Sequence, residues 1–282
     1  NQRRIKTLTD RIVELESIGT TLRARAGPKF EDWLAENPRL ALELPDRQGD
    51  YRFDSIENSL IPNHADPEKP GQLGAGTEVR SRAGGGSLQL DGDNNASFPG
   101  VGEFDRTQPF TISLLIRPDS ITERAVVIHR SRAWTDAGSQ GYQLLLEDGH
   151  PSWSLIHFWP GNAISIKAVD PLPAHQWSRL TVGYDGSSRA SGMTLHVDGE
   201  ATETQIIRDN LTRSITGGGP GALTIGQRFR DRGFKDGGVD ELLVLDRALS
   251  TLEIKHLHDD TTLNNARASA PGTLADTHRI RH

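Results

Sequence analysis

Five residues have side chains that suit recognition of a sugar. Trp134 lies in the polar stretch SRAWTDAGSQG between Arg132 and Asp136, and Trp159 lies three residues before Asn162. An aromatic plane stacks on the apolar C–H face of a sugar ring, while amide, carboxylate and guanidinium groups bind its hydroxyls. Both tryptophans fall in predicted loops, where a rigid scaffold usually presents its binding residues. We therefore predict that these five residues bind a ligand, with glycan as the favoured class.

The stretch HFWPGNAI, around Trp159, follows the pattern of a hairpin. Pro160 and Gly161 suit the two central positions of a type II turn, which leaves Asn162 to begin the return strand. Alternation along the strand directs Phe158 and Trp159 to opposite faces. At most one of the two aromatic rings is therefore expected to be buried, and we expect Trp159 to contact the ligand.

A pair of catalytic carboxylates is not evident. Glycosidases need two carboxyl groups about 5 Å apart, or about 6.5 to 9.5 Å apart in inverting enzymes. Side chains on one face of a strand are two or four positions apart. Asp240 and Glu241 are adjacent and are predicted to point to opposite faces, and Glu200 and Glu203 are separated by three positions. We predict a protein that is not an enzyme, with a glycosidase or lyase as the less favoured alternative.

The elements that position these residues are mostly short strands. From Tyr51 onward, apolar residues alternate with polar ones, and Asp-Gly pairs supply turns. Trp153, Trp177 and Tyr184 are predicted to lie in the core. The predicted strands are Ser87–Asp91, Phe110–Ile116, Ala125–Arg130, Tyr142–Glu147, Trp153–Phe158, Ile164–Ala168, Trp177–Tyr184, Met193–Val197, Ala222–Gly226 and Val239–Leu245. This succession without intervening helices indicates an all-β sandwich of two antiparallel sheets.

Two helices flank the strands. Ile5, Leu8, Ile12 and Leu15 recur at three- and four-residue steps, which predicts an amphipathic helix that ends at Gly27. This helix either docks on a neighbouring domain or pairs with a copy of itself. Near the other end of the chain, the sequence ALSTLEIKHL carries a capping box, in which a serine caps the helix and a glutamate three residues later reaches back.

Composition excludes several functional classes. The 32 Lys and Arg and 38 Asp and Glu are spread along the 282 residues and give a net charge of -6, so no concentrated basic surface favours nucleic acid. No apolar run is long enough to span a membrane, and the first ten residues do not resemble a signal peptide. Cysteine is absent, which removes disulfides and thiolate metal sites. The chain begins with Asn1 rather than Met, so we expect it to be a piece of a longer protein.

Three stretches resemble a known family. FTISLLIRP (residues 110–118), WSRLTVGYDGSSRASGMTLHVDG (177–199) and LTIGQRFRDRGFKDGGVDELLVLDRALSTLEIKHL (223–257) are similar to laminin-G-like, concanavalin A-like jellyroll domains of bacterial secreted proteins. The finer texture of HFWPGNAI and GQRFRDRGF resembles the version embedded in large planctomycete proteins that also carry cytochrome-c-like domains. The resemblance implies a jellyroll of 12 to 14 strands that recognises carbohydrate or protein, in the periplasm, at the cell surface or secreted.

The resemblance also implies a structural calcium ion, held here by Asp54 and Asp240, and no organic cofactor. On this basis residues 1–26 are a connector helix, 27–49 a linker with a short helix, 50–260 the jellyroll, and 261–282 a tail or linker. Our leading hypothesis is a carbohydrate-binding module without catalytic activity. The alternative is a scaffold that docks neighbouring domains of the same protein and binds no sugar.

Overall fold

The computed structural model describes residues 2–36, 44, 46–82, 85–131, 140–216 and 221–262. The chain divides into two compact units. One is Leu44–Ile254, and the other comprises Asn1–Glu43 with Lys255–His282. The sandwich therefore begins a few residues before the predicted boundary at residue 50, because its first strand already starts at Arg47.

The first helix, α1, runs from Gln2 to Glu36 without interruption. The prediction that it ends at Gly27, with a linker and a separate short helix beyond, is wrong. A proline inside a helix removes one hydrogen bond and bends the helix. The sequence KFEDWLAE that follows Pro28 is rich in good helix formers, which explains why the helix continues through it.

Seventeen strands lie in the described residues, all within the unit Leu44–Ile254. They are β1 (Arg47–Tyr51), β2 (Leu60–Ile61), β3 (Gly71–Leu73), β4 (Glu78–Arg82), β5 (Gly85–Asp91), β6 (Asn95–Phe98), β7 (Phe110–Pro118), β8 (Ala125–Arg130), β9 (Gly141–Glu147), β10 (His150–Phe158), β11 (Asn162–Ala168), β12 (Ser178–Tyr184), β13 (Met193–Val197), β14 (Glu200–Ala201), β15 (Thr204–Asn210), β16 (Leu223–Gly226) and β17 (Lys235–Leu245). This exceeds the 12 to 14 strands implied by the resemblance, because several added strands have only two to four residues.

The strands form two antiparallel sheets, as predicted. Sheet A has the order β14-β13-β12-β7-β17-β5-β4, and β1 pairs with the second half of β17. Sheet B has the order β15-β11-β10-β9-β8-β16-β6-β3-β2. Their inner faces enclose a core of aliphatic and aromatic side chains. The all-β jellyroll sandwich with one helix at each end of the described chain is therefore confirmed.

The core contains a cluster of aromatic rings. Trp153 and Tyr184 are fully buried and both contact Phe110 edge-on at 5.8 Å between ring centroids. Trp177, in contrast, is only half-buried, so its predicted place in the core is wrong. It immediately precedes β12, and its indole lies against Gly238 of β17, where an added Cβ would come within 2.7 Å of the ring.

Two of the Asp-Gly pairs close hairpins of two residues. Asp148-Gly149 joins β9 to β10, and Asp198-Gly199 joins β13 to β14, with positive φ at both residues of each pair. These angles are the ones that a type I′ turn requires.

The second helix, α2 (Thr251–His258), begins with the predicted capping box. The Ser250 backbone N–H donates to Glu253 Oε2 at 2.7 Å, and the Glu253 N–H donates to Ser250 Oγ at 3.4 Å. Each side chain thus satisfies an amide that the first turn of a helix leaves without a partner.

Candidate functional site

The end of the β10–β11 hairpin carries two accessible aromatic side chains. Phe158 pairs with Asn162 across the hairpin, so Trp159, Pro160 and Gly161 form the loop, and the Trp159–Pro160 peptide bond is cis. Phe158 is 48% exposed and Trp159 is half-buried. Gly161 lacks the positive φ that a type II turn needs, so that turn prediction is wrong.

Arg208, on the neighbouring strand β15, completes this surface. Its guanidinium carbon lies 5.5 Å from the centre of the Trp159 ring, within the range of a cation–π interaction. We call Phe158, Trp159 and Arg208 the hairpin site. Sequence reasoning missed Arg208, because β15 has no apolar alternation that would have marked it as a strand beside β11.

Asn162 anchors the hairpin instead of pointing freely into solvent. Its Oδ1 accepts hydrogen bonds from the backbone amides of Thr212 at 3.1 Å and Arg213 at 3.2 Å, and its Nδ2 donates to Thr212 Oγ1 at 2.7 Å. Asn210 adds a further bond, from its Nδ2 to the Gly161 carbonyl at 2.7 Å. The side chain predicted to bind ligand therefore holds the segment after β15 against the hairpin loop.

Two more side chains fix the same segment from the sheet. His157 Nδ1 lies 2.6 Å from the Ser214 carbonyl oxygen, and Gln140 Nε2 donates to the Thr216 carbonyl at 2.5 Å. The hairpin site is thus built on a support with many hydrogen bonds. The predicted ligand residues Arg132, Trp134 and Asp136 lie outside the described residues.

A row of polar side chains crosses sheet B from the hairpin site. The cross-strand partners are Arg208 with Ser165, Ser165 with Ser154, and Ser154 with Gln143. The two serine hydroxyls hydrogen bond to each other at 2.8 Å, and Ser154, Ser165 and Gln143 are buried. This row connects the hairpin site to a buried ionic cluster.

That cluster, the sheet B cluster, consists of Arg124, Gln143, Arg228 and Asp231. Arg228 is 1% exposed; its Nε donates to Asp231 Oδ2 at 2.9 Å and its Nη1 to Gln143 Oε1 at 2.7 Å. Arg124 binds the same carboxylate through Nε at 2.8 Å and Nη2 at 3.1 Å. Burial alone would raise the pKa of Asp231, but the two guanidiniums outweigh it and hold the pKa below its usual value.

His129 lies next to this cluster on β8. It is buried, with Nδ1 3.2 Å from Ser131 Oγ and Nε2 3.2 Å from the Gln227 carbonyl oxygen. Burial, followed by the charge of Arg228, lowers the pKa of His129 to about 4. The imidazole is therefore neutral at pH 7.

Sheet A carries a second ionic group, the sheet A cluster, made of Arg82, Arg179, Asp240 and Glu241. Arg82 binds Asp240 through Nε and Glu241 through Nη2, the latter at 3.0 Å, and Arg179 binds the other oxygen of Glu241. The prediction that Asp240 and Glu241 point to opposite faces is wrong. Glu241 has a φ of 49°, and the register shifts between Asp240 and Leu243, so a β-bulge brings both carboxylates to one guanidinium.

The members of the sheet A cluster differ in exposure. Asp240 is 1% exposed, whereas the side chain of Glu241 is 39% exposed. Burial raises the pKa of Asp240 to about 6, against the opposing effect of the Arg82 hydrogen bond. Arg179 is buried, and its Nη1 has no hydrogen-bond partner among the described residues.

The predicted calcium ligands do not fit an ion in this arrangement. Asp240 uses one oxygen for Arg82 and the other for the Glu241 amide, at 2.6 Å, while Asp54 Oδ1 accepts from the Gly86 amide at 2.9 Å. Among the residues that the structure describes, no three His, Asp or Glu side chains are grouped so that they could hold a metal. Calcium binding through Asp54 and Asp240 stays a prediction.

A polar pocket of about 350 Å³ opens on sheet A, at the ends of β4, β5 and β17. Its lining includes Glu78, Gln89 and Asp119. Close by, the guanidinium carbons of Arg82 and Arg117 each lie 5.4 Å from the centre of the Trp177 ring. Because this ring already contacts two guanidiniums and the backbone of β17, it offers less free aromatic surface than the hairpin site.

A family model agrees with this architecture. The model described as the concanavalin A-like lectin/glucanases superfamily matches residues 90–255, which is more than half of the chain. The chain belongs to this superfamily. Members of a fold can differ widely in function, so membership establishes the sandwich and leaves the ligand to be argued from the site.

Solved structures that share this sandwich include binding domains of toxins. The binding domain of Paraclostridial Mosquitocidal Protein 1 matches with a TM-score of 0.59 at 16% identity, over 76% of this chain and 52% of that chain. The receptor binding domain of botulinum neurotoxin D matches with 0.55 at 9%, over 77% and 53%. The botulinum neurotoxin serotype D ligand binding domain in complex with N-acetylneuraminic acid matches with 0.55 at 11%, over 77% and 51%.

This superfamily member spans about half the length of these toxin domains, and at such identities the similarity concerns the fold. No curated protein sequence matches the chain. In the part of the chain that the structure describes, α1 and α2 both lack the combination of length and apolar character needed to cross a bilayer.

Proposed function

We propose that this superfamily member is a recognition module without catalytic activity, and that it binds glycan at the hairpin site. The observation that carries the proposal is a surface of two accessible aromatic rings, Phe158 and Trp159, with the guanidinium of Arg208 next to the Trp159 ring. Such a surface suits a sugar, because the aromatic rings can stack on its apolar C–H face and the guanidinium can bind its oxygen atoms.

The charge of Arg208 favours a glycan that carries an acidic sugar. A guanidinium forms paired hydrogen bonds with a carboxylate, and these are stronger than bonds to a neutral hydroxyl. One toxin domain of the same fold was solved in complex with N-acetylneuraminic acid, which is compatible with this choice. Arg132, Trp134 and Asp136 stay in the proposal as ligand contacts predicted from the sequence.

Absence of catalysis is supported by the sheet A cluster. Asp240 and Glu241 both bind Arg82, so this cluster brings two carboxylates together, as a glycosidase also does. Asp240, however, is buried, and the guanidinium binds both carboxylates. A sugar would have to displace Arg82 before either carboxyl group could act on it.

The test is a glycan array with the whole chain, followed by binding titrations of any hit. Trp159→Ala should weaken binding about 10-fold or more, which corresponds to about 1.4 kcal/mol. Arg208→Ala should weaken binding to acidic glycans more than binding to neutral ones. Phe229→Ala is the matched control, because Phe229 is also an exposed aromatic residue but lies between β16 and β17.

Each other outcome supports a different function. Binding that survives Trp159→Ala would place the sugar elsewhere. An array without any hit would favour the scaffold that docks neighbouring domains of a longer protein. Release of reducing or unsaturated ends from a polysaccharide panel, abolished by Glu241→Gln, would show an enzyme. A periplasmic, cell-surface or secreted location is part of the same proposal.

A further inference from the structure

Helix α1 presents an accessible apolar stripe. Ile5, Leu8, Ile12 and Leu15 are 63%, 57%, 56% and 51% exposed, although their spacing places them on one side of the helix. Soluble proteins seldom leave a contiguous row of large aliphatic side chains in water, and such a surface usually marks an interaction site. The stripe therefore needs an occupant.

The residue types along the stripe favour a second copy of the same helix. With Ile5 at heptad position a, Ile12 also falls at a, while Leu8 and Leu15 fall at d. In parallel coiled coils, β-branched residues at position a with leucine at position d favour an assembly of two helices. The next a position is Gly19, and an added Cβ there would meet nothing within 4 Å. The side of the helix that carries the stripe is therefore also open at Gly19.

Charges beside the stripe select the parallel orientation. Arg11 occupies position g and Glu16 position e, and a parallel pair brings each g residue next to the e residue five positions later on the other helix. An antiparallel pair would instead bring Arg11 against Arg11 of the second copy. Within its own helix, Arg11 Nη1 lies 2.6 Å from Glu14 Oε2. Glu14 is at position c, away from the apolar stripe, so this ion pair does not cover the stripe.

We propose that α1 pairs in parallel and in register with α1 of a second copy, so that the chain forms a dimer. Buried aliphatic seams stabilise the pair, and Arg11 of each copy binds Glu16 of the other. The consequence for recognition rests on the proposed function: a dimer carries two hairpin sites, and a surface that displays many glycans would bind it more tightly than a monomer. The pairing itself does not depend on glycan binding.

The first experiment measures the mass of the whole chain by light scattering over a range of concentrations. The mass should rise from 30.9 kDa toward twice that value. Arg11→Glu and Glu16→Arg should each lower the dimer fraction, and the double variant should restore it. A constant monomer mass up to the highest soluble concentration would overturn the proposal, as would a double variant that is no better than either single one.

The second experiment uses the absence of cysteine from the chain. Leu15→Cys places a thiol at position d, where the two copies of a parallel, in-register pair bring the residues together. Ser17→Cys places it at position f, on the opposite side of the same helix. Under mild oxidation Leu15→Cys should form a disulfide-linked dimer at least 10-fold faster than Ser17→Cys does. Equal rates, or a faster Ser17→Cys, would contradict this pairing even if a dimer exists.

Discussion

The sheet A and sheet B clusters both combine arginine guanidiniums with carboxylates, but in different arrangements. In the sheet B cluster two guanidiniums, of Arg124 and Arg228, bind the single carboxylate of Asp231, and its pKa falls despite burial. In the sheet A cluster Asp240 shares Arg82 with Glu241, and its pKa rises to about 6. For Asp231 the hydrogen bonds and charges of Arg124 and Arg228 outweigh burial, whereas for Asp240 burial outweighs the hydrogen bond from Arg82.

This difference suggests distinct roles: the sheet B cluster stabilises the fold, whereas the sheet A cluster can change its protonation with pH. The donors of Arg228 bind Asp231 and Gln143, and the side chains of all three residues are buried. In the sheet A cluster, Glu241 is partly exposed and Arg179 keeps a buried N–H group without a partner in the described part of the chain. We expect substitutions in the first cluster to affect folding and those in the second to affect pH dependence.

The largest effect should follow Asp231→Asn. Loss of this carboxylate leaves the fully buried guanidinium of Arg228 without the carboxylate that it binds, which costs about 3 to 5 kcal/mol of unfolding free energy. Asp119→Asn is the matched control, because Asp119 also binds an arginine, Arg117, with bonds of 2.9 and 2.8 Å, but both side chains are about 30% exposed. The control should lose about 1 kcal/mol or less. Urea denaturation of both variants measures the difference, and equal losses would refute the structural role.

The next effect concerns acidification from pH 7 to pH 5. His129 has a pKa of about 4 in the fold against 6.5 otherwise, so the unfolded chain binds more protons between these values and stability falls as pH drops. Asp240 has a pKa of about 6 against 3.8, so the folded chain binds more protons there and stability rises as pH drops. At pH 5 these contributions amount to about 2 kcal/mol lost and about 1 kcal/mol gained.

Single substitutions should reveal both contributions. Relative to the unsubstituted chain, His129→Gln should remove the loss on acidification and Asp240→Asn should remove the gain. Urea midpoints at pH 7 and pH 5 measure this. If both variants changed with pH in the same direction relative to the unsubstituted chain, the opposite effects inferred for His129 and Asp240 on stability would be wrong.

The smallest effect should come from calcium. Because Arg82 and the Glu241 amide already bind both oxygens of Asp240, melting curves recorded with chelator and with millimolar calcium should coincide. An ion that binds only the folded state would raise the melting temperature. A rise that disappears in Asp54→Asn would instead support the calcium ion at Asp54 and Asp240 that the family resemblance implies.

The strands that sequence patterns predicted are those in which most side chains are buried. Trp153 and Tyr184 belong to such strands, and both lie in the core. Strands β4 and β15 were missed because they lie at sheet edges and most of their side chains are exposed, which leaves no apolar alternation to detect. Arg208 could not be placed beside Trp159 without β15.

The sites were less predictable than the fold because they depend on local irregularities. No residue type in the sequence VDELL announces a bulge, since glutamate rarely adopts positive φ, yet the bulge at Glu241 creates the sheet A cluster. Asn162 was predicted correctly as the start of the return strand. The segment that captures its side chain lies 50 residues later, beyond the reach of local pattern.

The edges of the two sheets bear on solubility. Each sheet ends in a strand of two residues on one side, β14 or β2, and in a charged strand on the other, β4 with Glu78 and Arg80 or β15 with Arg208 and Asp209. Short or charged edges discourage the backbone pairing that leads to aggregation. In a dimer, the paired helices would hold two sandwiches at high local concentration, and these edges would keep their sheets from pairing with each other. The protein should therefore stay soluble when many copies bind to one ligand-bearing surface.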